Sequence, residues 1–87
     1  MRPLNYAILK LFEDGDEIDV QSVMSALKDE YSSFAAFKLK AVNESLMSAE
    51  KNGLLEESNW KLDDKGELHV YYKVTEYGLD MIKGYIK

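Results

Sequence analysis

The stretch NWKLDDKGELHVYYKV, Asn59 to Val74, decides how the rest of the chain is to be read. Trp60 and Leu62 alternate with polar Asn59 and Lys61, and after DDKG the residues Leu68, Val70, Tyr72 and Val74 alternate with His69, Tyr71 and Lys73. A period of two sends alternate side chains to opposite faces of a strand, so the segment predicts a β-hairpin. Asp63 to Gly66 suits a type I turn followed by a glycine bulge, a common form when a hairpin loop exceeds two residues.

On both sides of this hairpin the apolar spacing is helical. Upstream, in SFAAFKLKAVNESLMSAE (Ser33 to Glu50), Ala35, Leu39, Val42, Leu46 and Ala49 fall within about 80° of one another at 100° per residue, which makes them a core face. Ser32 or Ser33 is placed to cap this helix, and Asn52-Gly53 to end it, glycine supplying the left-handed conformation. Its opposite side carries Phe37, Lys40, Ala41, Glu44 and Ser48. Further upstream, Asp19 suits an N-cap for a helix from Val20, with Ile18 stapling onto Val23 and with Val20, Val23, Met24, Leu27 and Tyr31 on one face. The first helix is expected over Arg2 to Phe12, with Pro3 in the first turn and Leu4, Ala7, Ile8 and Leu11 as its stripe, before EDGD interrupts it at Gly15. Downstream of the hairpin, Thr75 suits the cap of a last helix whose inner stripe is Leu79, Ile82 and Ile86. The order is helix, short strand, helix, helix, hairpin, helix, an α+β arrangement.

A chain of 87 residues buries roughly 60 to 65% of its extended surface, enough for one core, so residues 1–87 are expected to form a single domain. Apolar residues make up 46% and charged residues 31%, too apolar a balance for intrinsic disorder. There is no cysteine, which excludes disulfides and thiolate metal sites and fits a reducing cytoplasm. No apolar run approaches the roughly 18 to 20 residues of a membrane span, and MRPLNYAILKLFEDGD is too short and interrupted to be a signal peptide, so a soluble, cytoplasmic protein is expected. The net charge of −5 argues against gripping nucleic acid by an overall field. Only residues 33–55 are net basic, with three lysines against two glutamates.

Two strings carry a resemblance. KNGLLEE (Lys51 to Glu57) resembles the exit from a recognition helix into a wing, and YYKVTEYGLDMI (Tyr71 to Ile82) resembles the lead-in to the last helix of bacterial regulators of the PadR and MarR kinds. With the order of elements, the chain resembles a winged helix-turn-helix domain: a three-helix core, a short strand, a β-hairpin wing and a C-terminal helix. The resemblance covers nearly the whole chain. It implies a small DNA-binding transcriptional regulator whose third helix enters the major groove of double-stranded DNA while the wing reaches an adjacent groove or the backbone. Carried over by position, the contacts would be Ser32 and Ser33 at the helix mouth, Phe37, Lys38, Lys40, Ala41 and Glu44 along it, and Lys61 and Lys65 near the wing. Arginine paired to guanine is the commonest specific base contact, and the only arginine here, Arg2, lies outside that surface. Glu44 is able to accept from a cytosine amino group, and Phe37 or Ala41 to touch a thymine methyl.

The other candidate chemistry is sparse. His69, the only histidine, lacks the partners of a zinc site and is expected to face solvent from its strand. The acidic cluster Glu13, Asp14, Asp16, Glu17 and Asp19 does not follow the spacing of an EF-hand loop and reads as a solvated turn. Glu56/Glu57 and Asp63/Asp64 are sequence neighbours whose side chains diverge, unlike carboxylates converging across a catalytic cleft. No enzyme, cofactor or metal is expected. In the last helix Tyr77, Met81 and Tyr85 form a second apolar stripe, more than one small core needs, so a homodimer through the first and last helices is expected, with Leu4, Leu11, Tyr77, Met81 and Tyr85 at its interface. The alternative is a winged helix that binds a protein partner through Phe37 and the wing, its acidic surface excluding nucleic acid.

Overall fold

The computed structural model describes residues 1–87. Four helices, α1 (Leu4–Lys10), α2 (Val20–Tyr31), α3 (Leu39–Lys51) and α4 (Glu76–Tyr85), accompany three strands, β1 (Ile18–Asp19), β2 (Leu55–Leu62) and β3 (Leu68–Val74). The strands form one antiparallel sheet in the order β1-β3-β2. No helix is long and apolar enough to cross a membrane.

The alternation in Asn59–Val74 is a hairpin, as its period requires. Its first strand is longer than the sequence pattern suggested. β2 begins at Leu55, and Glu57 pairs with Tyr72 while Asn59 pairs with Tyr71, leaving Ser58 as an extra residue. That bulge advances the alternation by one, so the inward positions before and after it no longer share parity, and a strict period of two detects only the outer half. At the turn, Gly66 has φ +79°, where a side chain is strained, and its N–H donates to the Asp63 carbonyl at 3.0 Å. The Asp63 carboxylate accepts the N–H groups of Lys65 and Glu67, each at 2.9 Å.

Ile8 and Phe12 from the first helix and its following turn, Val23, Leu27 and Tyr31 from α2, Val42 and Leu46 from α3, and Leu55 and Tyr72 from the sheet are buried in one cluster. α1 is shorter than expected because Pro3 stands at its N-cap and tight turns follow Lys10, and those turns carry Phe12 into the core, completely buried. Asp19 caps α2 as its position suggested, accepting the Ser22 N–H at 3.1 Å. It is 5% exposed, so it does not share the solvated state expected of the acidic turn.

The beginning of α3 corrects the sequence reading. The helix starts at Leu39; Lys38 is its N-cap in an extended conformation without a side-chain hydrogen bond, and neither Ser32 nor Ser33 caps it. Residues 32–38 are turns, closed by the Phe34 N–H on Tyr31 and the Phe37 N–H on Phe34. A helix extended back through these residues would aim Phe37 at solvent, about 180° from Leu39. The turns let it lie half-buried against the core instead, and Phe34 sets its ring edge-on to Tyr31 at 5.0 Å. Burying a phenylalanine completely is worth roughly 1.5 to 3 kcal/mol, so half-burial of Phe37 contributes on the order of 1 kcal/mol toward unwinding this turn. Ala35 is consequently exposed, and Leu39, expected inward, is 50% exposed at the helix mouth.

The junction before α4 explains its sequence string. Thr75 caps the helix by accepting the Gly78 N–H at 2.9 Å, and its own hydroxyl lies 2.6 Å from the Gly53 carbonyl oxygen. Gly78 lies so close to the chain entering β2 that a Cβ there would sit 2.0 Å from the Leu54 carbonyl oxygen. Helix and strand approach this closely only without a side chain between them.

Candidate nucleic-acid interface

With α3 beginning at Leu39, its buried residues Val42, Leu46 and Ala49 define an inner face. At 100° per residue, Lys40, Glu44, Met47, Ser48 and Lys51 lie on the opposite side, and all five are exposed. Asn43 borders this surface, half-buried, on the side toward β3, its amide 3.7 Å from the Met47 sulfur. Neither Lys40 nor Lys51 forms an ion pair, whereas Lys10 and Lys73 are paired with Glu13 and Glu56. The outer face of α3 thus offers two free cations, one carboxylate and a flexible thioether. Its amide and hydroxyl groups add donors and acceptors suited to base edges.

The hairpin stands beside the start of α3. A cleft of about 390 Å³ separates them, lined by Asp19, Val20, Gln21, Leu39, Lys40, Asn43, Leu68, His69 and Val70. Trp60, Leu62 and Leu68 are 61%, 72% and 61% exposed, and the register Trp60↔Val70 and Leu62↔Leu68 puts them on one face of the hairpin. On the other face the Lys61 ammonium lies 5.2 Å from the centre of the Tyr71 ring. Lys65, in the turn, is exposed and its ammonium forms no ion pair.

His69 does not face solvent as its strand position suggested. Its Nδ1 is 2.9 Å from the Asp19 carboxylate and its Nε2 is 2.9 Å from that of Asp63, with only 17% of its side chain accessible. β1 pairs with β3 just beyond it, Asp19 opposite Tyr71, which brings a residue fifty positions away to the ring. Those two hydrogen bonds, to Asp63 foremost, raise the imidazole's pKa above its ordinary value of 6.5. Asp63 is lowered from 3.8, chiefly by His69 and then by the Glu67 N–H. Burial pushes Asp19 up, but hydrogen bonds from Ser22 and His69 outweigh it and leave that carboxyl below 3.8 as well. The two ring nitrogens point to opposite sides, each to its own carboxylate, so the three residues form a chain and do not converge on a point where one cation would bind.

The residues singled out from sequence divide accordingly. Lys38 and Lys40 stand exposed at the mouth of α3, with Ser32 and Ser33 on the preceding turn. Glu44 is on the outer face, while Ala41 is half-buried toward α1, where Asn5, Glu44 and Ser45 share its depression. Phe37 lies off the helix. Lys61 and Lys65 belong to the hairpin. Sequence reasoning passed over Asn43, Met47 and Lys51. The signal for Lys51 was present in the spacing of Lys40, Glu44, Met47 and Lys51, which is one helical stripe once the correct start is used.

Between α1 and α4, Tyr6, Leu9, Leu54, Met81, Ile82, Tyr85 and Ile86 line an apolar groove of about 310 Å³. Tyr77 and Tyr85 are 55% and 69% exposed. Leu4 and Leu11, expected with them, are half-buried against the core; Tyr6 and Leu9 are the α1 residues on the groove. Arg2 is engaged elsewhere, its guanidinium bonded to the Lys87 carbonyl at the other terminus.

No protein-family model and no curated protein matches the chain. Solved structures do. The structure of Bacillus subtilis PadR in complex with operator DNA matches 99% of this chain with a TM-score of 0.78 at 23% identity. A PadR-like transcriptional regulator from Bacillus cereus matches 93% of it with a TM-score of 0.70 at 21% identity. The fold is a winged helix. Within it α3 is the third helix of the helical core, and β2 and β3 form the wing. The chain spans about half of the PadR chain, 49%, and 75% of the Bacillus cereus one. The winged helix here therefore accounts for its own length and for only part of the longer protein.

Proposed function

We propose that residues 1–87 form one winged-helix domain of a cytoplasmic transcriptional regulator that binds duplex DNA as a dimer, α3 in the major groove and the wing alongside. The observation that carries this reading is the outer face of α3, which projects unpaired Lys40 and Lys51 together with Ser48, while Lys40 and half-buried Asn43 line the cleft beside the wing. Nothing in the core requires polar, uncommitted side chains on that stripe. The likeness to PadR, whose solved structure is a complex with operator DNA, supports duplex DNA as the ligand. Lys38, Lys51 and Lys65 serve phosphates, while Lys40, Asn43 and Glu44 are placed to meet base edges. A dimer through the apolar groove between α1 and α4 would double these cations, which matters in a protein of net charge −5.

The test is retention of mixed duplex DNA fragments by the purified protein across a salt series. Binding is expected at low salt, with log affinity falling linearly against log salt and with weaker binding after Lys40→Ala and Lys51→Ala. No retention at any salt concentration would remove the proposal.

A specific feature favours one other reading. Trp60, Leu62 and Leu68 form an exposed apolar patch on a wing whose turn also carries Asp63, Asp64 and Glu67, a surface suited to a protein partner. Phe37, half-buried in its turn, does not contribute to that surface in the way expected from sequence. Loss of DNA binding on Trp60→Ala together with Leu62→Ser would assign the patch to DNA, whereas unchanged binding would leave it to a protein.

A further inference from the structure

Beyond Val70 the wing has little to hold it. Trp60, Leu62 and Leu68 are exposed, and β1 pairs with β3 only at Tyr71 and Tyr72. From Asn59 to Val70 a single hydrogen bond reaches the helical body, the one between His69 and Asp19. The same imidazole holds the turn through Asp63, whose other carboxylate oxygen organises the Lys65 and Glu67 N–H groups. The ring thus joins three places: the N-cap of α2, β3 and the wing turn.

We propose that His69 is a positioning residue for the wing: as an imidazolium it ties the wing turn at Asp63 to the α2 N-cap at Asp19, and its deprotonation frees the outer wing. The geometry demands the charged form. An imidazolium donates from both nitrogens; a neutral ring has one N–H and one lone pair, so one of the two 2.9 Å contacts would set a lone pair against a carboxylate. The charges around the ring agree. Asp19 faces it from β1 and Asp63 from the turn; Lys61, its partner across β2, directs its ammonium to Tyr71; Lys40 of α3 lines the same cleft. The two carboxylates in contact outweigh the two lysines beyond contact, and the raised pKa of the ring is the consequence. Because the wing and Lys40 border one cleft, the tie also sets the angle between wing and recognition helix. In that respect it rests on the DNA-binding reading.

A titration of the free protein followed by NMR tests the tie without DNA. His69, the only histidine, is expected to titrate above 6.5, with the Lys65 and Glu67 amides shifting at the same midpoint. Asp63→Asn keeps an oxygen to accept those amides while removing a charge, so the midpoint should fall in a protein that stays folded. A His69 midpoint at or below 6.5, or wing amides indifferent to it, would overturn the proposal. The second arm measures affinity for a mixed pool of duplex DNA between pH 6 and 8.5. The unsubstituted protein should lose roughly fivefold or more as the ring deprotonates, and His69→Gln should be weak and flat over the same range. Equal pH dependence in both proteins would overturn the role of the tie in DNA binding. Coupled titration in a protein that retains no DNA at any pH would instead overturn the DNA-binding reading and leave the tie in place.

Discussion

Replacing Gly78 by alanine sets two effects of opposite sign against each other. Gly78 lies within α4, where helix propensity alone makes alanine better by roughly 1 kcal/mol. The added Cβ, however, would meet the Leu54 carbonyl oxygen at 2.0 Å and its carbon at 2.8 Å. These are backbone atoms and cannot swing aside as a side-chain tip would. Relieving the overlap requires α4 and the lead-in to β2 to separate by about an ångström, which strains the 3.0 Å hydrogen bond from the Thr75 N–H to the Leu54 carbonyl and loosens Ile82 and Ile86 in their buried positions. Forced overpacking costs roughly 1 to 3 kcal/mol and an orphaned carbonyl roughly 1 to 3 more. After the propensity gain, a net loss of about 3 kcal/mol is expected. Urea denaturation followed by circular dichroism measures it: with a slope near 1 kcal/mol per molar, the midpoint should fall by about 3 M. Gly84→Ala is the control, because nothing lies within 4 Å of its added Cβ, and there the propensity gain should appear unopposed. A Gly78→Ala protein as stable as the unsubstituted one would refute the packing argument.

Other perturbations have equally definite outcomes. Phe12→Ala empties a completely buried site and should cost roughly 3 to 5 kcal/mol in the same denaturation assay. The pH dependence of stability follows from the tie. His69, raised above 6.5, contributes fully below that value and loses its contribution as pH climbs through the raised one; Asp19 and Asp63, lowered below 3.8, contribute above 3.8 and lose it as pH falls through their lowered values. Denaturation midpoints should therefore be highest between those limits, with an alkaline decline that His69→Gln lacks. Tyr85→Lys at the groove between α1 and α4 should convert a dimer to a monomer by light scattering, and a monomer mass for the unsubstituted protein at high concentration would dispose of the dimer.

Much of the architecture was legible because local signals agreed with the tertiary result. The alternation on both sides of DDKG, the caps at Asp19 and Thr75, and the break at Gly53 are short-range chemistry, and each appears where the pattern placed it. What was not legible depended on contacts made at a distance. Alanine-rich residues 34–38 would suit a helix, and only the pull of the core on Phe37 unwinds them. The bulge at Ser58 hid the first half of β2 by shifting its alternation. His69 looked like an outward strand residue because its partner Asp19 is fifty positions away, delivered by a two-residue strand. The candidate site inherited these errors: once the helix start moves to Leu39, Phe37 leaves the outer face and Lys51 and Met47 join it.

The central claim is that α3 and the wing meet duplex DNA. Amide chemical shifts recorded while a mixed-sequence duplex is added at low salt test it residue by residue. The account predicts perturbations at Lys38, Lys40, Asn43, Glu44 and Lys51 and around Lys65, with α4 unaffected at Tyr77 and Tyr85. Shifts confined to the groove between α1 and α4, or no shifts at all, would contradict it.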